Sequence, residues 1–216
     1  MSFKPTTLHA GDQVQYRLKG VQDRFLYSST GYWFKPEDTA RLRSLVSIDR
    51  LTQGTVAEAR EGDQIANVNI RDAWVEFIEP NEDSKWLYDR VGEIIRYHNQ
   101  TYYGYDLTGV ETLQFSEYRA PAGHYGAHLD WGSSRNGVQV QARKLSFTVQ
   151  LSDPDSYEGG DLVIHDGQEQ TPEIVAKRRQ LGSIIVFPSW VLHEVTPVTR
   201  GTRRSLVGWC VGPEFR

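Results

Sequence analysis

From Gly109 to about residue 212, the sequence is a succession of short strand-like segments separated by turns. Residues 144–151 alternate strictly, with leucine, phenylalanine and valine on one face and lysine, serine, threonine and glutamine on the other. Because successive side chains of a strand point to opposite faces, this pattern predicts a strand with one apolar face. Many short strands at near-regular spacing are typical of a sandwich or jelly roll. This half of the chain is therefore predicted to be antiparallel β structure.

Helical patterns come before the strands. Lys35-Pro36-Glu37-Asp38 is typical of a helix start, because proline and acidic side chains suit the first turn, and the predicted helix runs to about Val46. A strand is predicted over residues 70–78. A second helix is predicted from caps at residues 81–84 to about Asn99, with an apolar stripe at Leu87, Val91, Ile94, Ile95 and His98. The predicted fold class is α+β: a double-stranded β-helix (jelly roll) with the N-terminal helices packed on one sheet.

The length of 216 residues and the ordinary composition predict a single domain, residues 1–216. It would comprise an N-terminal helical and loop extension (1–69) and a jelly-roll core with a supporting helix (70–212). Residues 47–68 are rich in glycine, threonine, alanine and acidic residues. Their runs 52–55 and 61–63 lack apolar anchors, so we predict that the segment is a mobile loop that closes over the functional site.

The charge and hydropathy patterns exclude some classes of partner. The formal net charge is −4, which disfavours a nucleic-acid partner. No window approaches the ~18 apolar residues of a membrane span, and no apolar segment of signal-peptide type begins the sequence, so we expect no membrane partner. The single cysteine, Cys210, cannot form an intrachain disulfide and is expected to pack as a small hydrophobe. The predicted location is cytoplasmic.

The stretch from Tyr125 to Trp131 holds the only His-x-Asp in the sequence, at His128 and Asp130. On a strand, residues two apart face the same side, so these two side chains would meet at one point. They would make two-thirds of a 2-His-1-carboxylate group, and His193, far downstream, supplies a third ligand. A surface pair of solvated side chains is the alternative. A zinc-protease helix is disfavoured, because no glutamate lies between His124 and His128.

This arrangement, with an arginine ten residues after His193, resembles the iron(II)/2-oxoglutarate-dependent dioxygenases. The string from His193 to Arg203, the Lys144-Leu145-Ser146 sequence and the turn at residues 157–162 are similar to the PKHD-type and prolyl hydroxylase-like branch. The resemblance covers about residues 70–212. It implies iron(II) held by His128, Asp130 and His193, with 2-oxoglutarate as cosubstrate, O2, and ascorbate to keep the iron reduced. The implied reaction hydroxylates an unactivated C–H bond and releases succinate and CO2.

The resemblance also assigns cosubstrate-binding residues. Arg203 lies six residues before Trp209, where the family places the arginine that binds the distal carboxylate of 2-oxoglutarate; by strand parity Arg204 faces the other way. Tyr118 precedes the His-x-Asp by ten residues, at the position of a cosubstrate-binding tyrosine. Gln150 stands where prolyl hydroxylases often have a second tyrosine, and its amide can also donate to a carboxylate.

The expected substrate-binding residues are the aromatic side chains Tyr125, Trp131 and Trp209, as pocket walls. By family analogy the favoured substrate is a peptidyl, prolyl-like side chain. A free amino acid or other small molecule is the second candidate, and a nucleobase the third. The alternative of another class is a non-catalytic jelly-roll binding module, which a test for succinate formation would distinguish from an enzyme.

Overall fold

The computed structural model of the chain describes residues 27–31, 33–57, 64–131, 134–135, 138–139, 142–165, 175 and 178–213. Its α-helices include α1 (Pro36–Ser44) and α2 (Lys85–His98), and helical turns lie at Ile48–Arg50, Asn99–Tyr103 and Pro154–Ser156. The strands, in chain order, are β1 (Ser28–Thr30), β2 (Thr52–Gln53), β3 (Val56–Ala57), β4 (Gln64–Ile65), β5 (Arg71–Asp72), β6 (Trp74–Ile78), β7 (Gly109–Val110), β8 (Leu113–Arg119), β9 (His124–His128), β10 (Ser134–Arg135), β11 (Val138–Gln139), β12 (Ala142–Gln150), β13 (Tyr157–Gly159), β14 (Leu162–Ile164), β15 (Ile184–Pro188), β16 (His193–Val195) and β17 (Val198–Gly212).

Two antiparallel sheets form the body of the molecule, as the strand pattern predicts for a jelly roll. The larger sheet has nine strands in the order β1-β15-β12-β17-β8-β6-β2, with β13 and β7 also paired to β17. The smaller sheet has the order β14-β16-β9-β5. Two further strand pairs, β3–β4 and β10–β11, lie outside these sheets. The long strand β17 pairs with both β12 and β8, so it is the centre of the larger sheet.

The larger sheet is buried on both faces. One hydrophobic cluster joins its outer face to residues of both helices, including Leu42, Leu87, Phe147 and Leu206. A second cluster lies between the sheets and includes Tyr118, Ile164, Ile185 and Val195. Every residue of β12 except Arg143 is buried or nearly so, and its polar face therefore lies in the interior. Buried polar side chains need hydrogen-bonding partners, so this interior could accommodate a polar ligand.

Residues 70–78, predicted as one strand, form two strands in different sheets. Arg71 pairs with Tyr125 in the smaller sheet, whereas Trp74 pairs with Glu117 in the larger one. Ala73, between them, is fully buried. The single-strand prediction was wrong because one continuous run of strand-forming residues contains the crossover between the sheets.

In the predicted mobile loop 47–68, the residues on either side of the run 52–55 are anchored to the body of the molecule. Leu51 and Val56 are buried, and β2 pairs with β6. The N–H of Gly54 donates to the carbonyl of Ala73 at 2.7 Å. The segment after the first helix is therefore fastened to the sheet up to Val56, while residues 58–63 lie outside the described residues, as do residues 1–26 of the predicted N-terminal extension.

Helix α2 and the residues after it follow the sequence pattern closely. All five stripe residues are buried, and Gly104 ends the segment in a left-handed conformation with φ 67°. His98 is fully buried, its Nδ1 lies 2.6 Å from the Ser28 hydroxyl, and burial lowers its pKa to about 4. Cys210 is buried as expected, and burial raises its pKa to about 12. In the described part of the chain, no helix has both the length and the apolar character to cross a membrane.

Candidate active site

Three side chains meet where β9 and β16 pair. His128 ends β9, His193 begins β16, and the two residues are directly opposite each other in the ladder. Asp130 follows β9, and its N–H donates to the carbonyl of Ser189 at 3.0 Å. The nitrogen and oxygen atoms that these three side chains could offer to a metal all lie within 4.8 Å of one another. Side chains from residues up to 65 positions apart in the sequence thus form one potential metal-binding group.

Each histidine is oriented by its own strand. Nδ1 of His128 lies 2.8 Å from the carbonyl of Gly126, and Nδ1 of His193 lies 2.9 Å from the carbonyl of Val191. A carbonyl oxygen only accepts, so each Nδ1 carries the proton and donates it. In each imidazole Nε2 is then unprotonated, so its lone pair can coordinate a metal. Nε2 lies 3.6 Å from a carboxylate oxygen of Asp130 in His128 and 3.4 Å in His193.

Electrostatics favour a cation at this point. Burial alone would raise the pKa of Asp130, but the two imidazoles and the Ser146 hydroxyl beside the carboxylate outweigh burial, so the pKa lies below its usual 3.8. Burial lowers the pKa of His193 below its usual 6.5, against the opposing effect of Asp130. At neutral pH the group therefore combines an anionic carboxylate with a neutral imidazole, which suits a divalent transition metal.

Sequence reasoning missed two serines behind the carboxylate. Ser146 and Ser189 are both fully buried, and their hydroxyl oxygens lie 3.0 Å apart. Ser189 thus touches both the Asp130 main chain and Ser146, which in turn hydrogen-bonds the carboxylate. The available signal was strand parity, because Ser146 lies on the polar face of β12.

Arg203 lies in the interior and Arg204 does not. The Arg203 side chain is 1% exposed, its Nη1 donates to the Ser205 hydroxyl at 3.4 Å, and its Nε has no hydrogen-bond partner. Arg204, on the opposite face, donates to Glu117 at 2.7 Å. Gly160 has φ 64°, and a Cβ there would lie 3.0 Å from Cδ of Arg203, so glycine leaves room for the arginine. The parity argument correctly separates the two arginines.

Tyr118 and Gln150 lie in the same interior. The guanidinium of Arg203 is 5.3 Å from the centre of the Tyr118 ring, and Tyr118 is buried. Gln150 is 1% exposed, and neither its amide nitrogen nor its amide oxygen has a hydrogen-bond partner. Gln150 is the ladder partner of Ser205, two residues from Arg203, so these buried groups lie on neighbouring strands. Unpartnered buried polar atoms are costly, and their presence near a buried guanidinium fits a site for a polar, anionic ligand.

The three expected substrate-binding aromatics are placed differently. Tyr125 stacks on His128, with ring centres 3.6 Å apart and planes 16° apart. Trp209 is 9% exposed and lies under the guanidinium of Arg143 at 4.0 Å. Trp131 is 60% exposed, so it lies at the surface beside Asp130.

The fold and this group of side chains define a class: jelly-roll proteins with two histidines and one carboxylate, the ligand set of non-haem iron oxygenases. Residues 113–211 match the family model of the 2OG-Fe(II) oxygenase superfamily. This match covers a little under half of the chain, and the matched segment resembles the PKHD-type and prolyl hydroxylase-like branch of that superfamily.

Similar proteins and structures support the branch. A PKHD-type hydroxylase of Synechococcus sp. (strain CC9605) is 50% identical over 92 residues, which are 42% of this chain and 38% of the relative. A PKHD-type hydroxylase of Crocosphaera subtropica is 41% identical over 100 residues, 46% of this chain and 42% of that protein. These matches span less than half of each relative.

Among solved structures, a Pseudomonas putida prolyl-4-hydroxylase is 26% identical, with a TM-score of 0.59 over 88% of this chain and 94% of that one. A prolyl hydroxylase from Trichoplax adhaerens, solved with a peptide fragment of hypoxia inducible factor, has a TM-score of 0.65 at 18% identity over 86% of this chain and 83% of that one. The second likeness is one of fold. The superfamily implies iron(II) as cofactor and 2-oxoglutarate and O2 as cosubstrates.

Proposed function

We propose that this chain is an iron(II)- and 2-oxoglutarate-dependent hydroxylase that acts on a peptidyl, prolyl-like side chain. The observation that carries the proposal is the convergence of His128, Asp130 and His193 next to an interior that holds Arg203 with an unpartnered Nε. A binding module of the same fold needs no such combination of metal ligands and a buried carboxylate-binding group.

In this proposal, His128, Asp130 and His193 hold the iron and leave its remaining positions open. Arg203 binds the distal carboxylate of 2-oxoglutarate with its planar fork, and Gln150 and Tyr118 supply further hydrogen bonds. Oxidation of a substrate C–H bond, coupled to the conversion of 2-oxoglutarate to succinate and CO2, is the chemistry that the bound group supplies.

The protein's own residues would orient and protect that chemistry. The Nδ1 hydrogen bonds keep both imidazoles turned with Nε2 inward, and Ser146 holds the carboxylate. Phe187 packs 4.6 Å from the ring of His193, and it excludes water from the buried side of the site. Tyr125 and Trp209 would form the walls against which a substrate side chain lies, with Trp131 at the surface next to them.

The peptidyl substrate is supported by the names of the similar proteins, the P. putida prolyl-4-hydroxylase above all. A free amino acid or another small molecule is the competing substrate class. Ascorbate as reductant and a cytoplasmic location complete the proposal. We also propose that residues 1–216 form one domain whose helices α1 and α2 cover the larger sheet, supported by the apolar cluster that the helices share with it.

Two measurements test the proposal. Purified protein supplied with iron(II), 2-oxoglutarate and O2 should form succinate, and a protein that forms none under any substrate pool is a binding module. Peptide, amino-acid and nucleotide pools should then be screened by mass spectrometry for products heavier by one oxygen atom. We expect such a product in the peptide pool; a product in the amino-acid pool alone would replace the peptidyl proposal with the small-molecule one.

A further inference from the structure

Three side chains form a stack that leads from the metal group towards the segment after β2. The ring of Tyr125 lies flat on the imidazole of His128, with 3.6 Å between ring centres. The guanidinium carbon of Arg71 lies 4.6 Å from the centre of the Tyr125 ring. A cation, a phenol ring and an imidazole are thus in contact in sequence.

The backbone fixes the position of Arg71 beside Tyr125. The two residues are ladder partners in the β5–β9 pair, and the N–H of Gly126 donates to the carbonyl of Ile70 at 2.8 Å. Arg71 is only 8% exposed, so its guanidinium is largely removed from water. Cation–π contacts are strongest when the cation is desolvated, and Arg71 meets that condition.

The same guanidinium also holds the segment that follows β2. Nη1 of Arg71 donates to the carbonyl of Thr55 at 3.0 Å. A Cβ at residue 54 would lie 2.7 Å from Nε of Arg71, so Gly54 is needed for the chain to pass this closely. Val56, which follows Thr55, is buried. Arg71 therefore contacts both Thr55, the residue before β3, and the ring of Tyr125.

We propose that Arg71 is a positioning residue that couples the segment 54–57 to the metal group. Its guanidinium holds Tyr125 flat against His128 while the segment is docked, and release of the segment loosens the imidazole. This inference rests on the proposed function only in taking His128 as a metal ligand. Coupling between two sites is reciprocal, so a metal ion held by His128 must in turn stabilise the docked segment.

The coupling is measurable without turnover. Co(II) is titrated into the protein without 2-oxoglutarate, and amide hydrogen exchange of residues 52–57 is followed with and without the ion. In the wild-type protein we expect Co(II) to slow exchange in this segment. Arg71→Gln should weaken Co(II) binding about three- to tenfold, the loss of one aromatic or cation contact, and should abolish the effect of Co(II) on exchange.

Arg119→Gln is the matched control. Arg119 also lies over an aromatic ring, that of Trp74 at 4.8 Å, but on a strand face that pairs with Glu117 and away from the metal group. Trp74 is the ladder partner of Gln53, so this control can alter the basal exchange of β2. It should change neither Co(II) affinity nor the slowing that Co(II) causes in residues 54–57. Arg71→Lys keeps the charge without the planar guanidinium and should behave like Arg71→Gln. If Arg71→Lys behaves like the wild-type protein instead, the role given to the guanidinium is wrong.

Failure of the coupling and failure of the proposed function give different results. If Co(II) binds and His193→Ala abolishes binding, the metal group is sound; unchanged exchange of residues 52–57 in the wild-type protein then overturns the coupling alone. If His193→Ala leaves Co(II) binding intact, the metal group itself is wrong, and the coupling falls with it. The wild-type exchange experiment requires no variant, so a poorly folded Arg71→Gln protein does not block the test.

Discussion

Arg203→Ala should weaken the binding of 2-oxoglutarate by roughly a hundredfold or more. The side chain is 1% exposed, its Nε has no hydrogen-bond partner, and its one described hydrogen bond, to Ser205, is long at 3.4 Å. Truncation of one partner of a desolvated charge pair costs about 3–5 kcal/mol. Since each ~1.4 kcal/mol is tenfold in affinity, the expected loss is about two to three and a half orders of magnitude.

The neighbouring arginine is the control for charge and for position along the strand. Arg204 is bound to Glu117 on the helix-facing side of the larger sheet. Arg204→Ala removes the same charge one residue away, so it should change 2-oxoglutarate affinity little. Arg203→Lys keeps the charge but not the planar fork, and it should fall between the wild-type and alanine proteins.

Calorimetric titration with 2-oxoglutarate under anaerobic conditions measures the affinities of the wild-type protein and the three variants, each loaded with iron(II). Circular dichroism checks that each variant is folded. Equal losses in the Arg203 and Arg204 variants, or a larger loss for Arg204, would refute the strand parity on which the cosubstrate pocket is built. A small loss for Arg203→Ala alone would mean that Gln150 and Tyr118 hold the carboxylate by themselves.

Three further outcomes follow from the site and the core. His193→Ala should abolish iron-dependent succinate formation and bound iron in a folded protein, and unchanged iron content would falsify the metal group. Ser146→Ala should weaken Co(II) binding about tenfold, as expected for the loss of a residue that orients a ligand. Ser183 is also buried, and Ser183→Ala should leave Co(II) affinity unchanged. Equal Co(II) affinities of the two variants would exclude the orienting role of Ser146. His98, with a pKa of about 4 when folded and 6.5 when exposed, binds fewer protons in the folded state, so the free energy of unfolding should fall by about 3 kcal/mol between pH 6.5 and 4. In His98→Gln, denaturant titrations at several pH values should show a smaller fall, and an identical fall would assign the effect to other groups.

Residue spacing was sufficient to predict the features that depend on local periodicity. The five-residue stripe of α2 is buried as its helical spacing predicts, and the alternation of residues 144–151 marks a strand. The parity of β17 separates Arg203 from Arg204 for the same reason, because neighbouring side chains of a strand must point to opposite faces.

The errors occurred where a property depends on distant parts of the chain. Residues 70–78 look like one strand, but each half pairs with a different partner, Arg71 with Tyr125 and Trp74 with Glu117. Leu51 and Val56 stand in a polar stretch, and only the neighbouring sheet shows that they are buried.

The sequence by itself determined which residue types could form a metal group, and the two-residue spacing of His128 and Asp130 indicated that their side chains could meet at one point. Only the tertiary structure decided that His193 lies opposite His128, and that Ser189 and Ser146 stand behind Asp130. It also decided that Arg71 reaches His128 through Tyr125. These contacts join residues that are far apart in the chain. Their geometry arises from the pairing of strands and the packing of two sheets, and local periodicity does not specify which strands will pair.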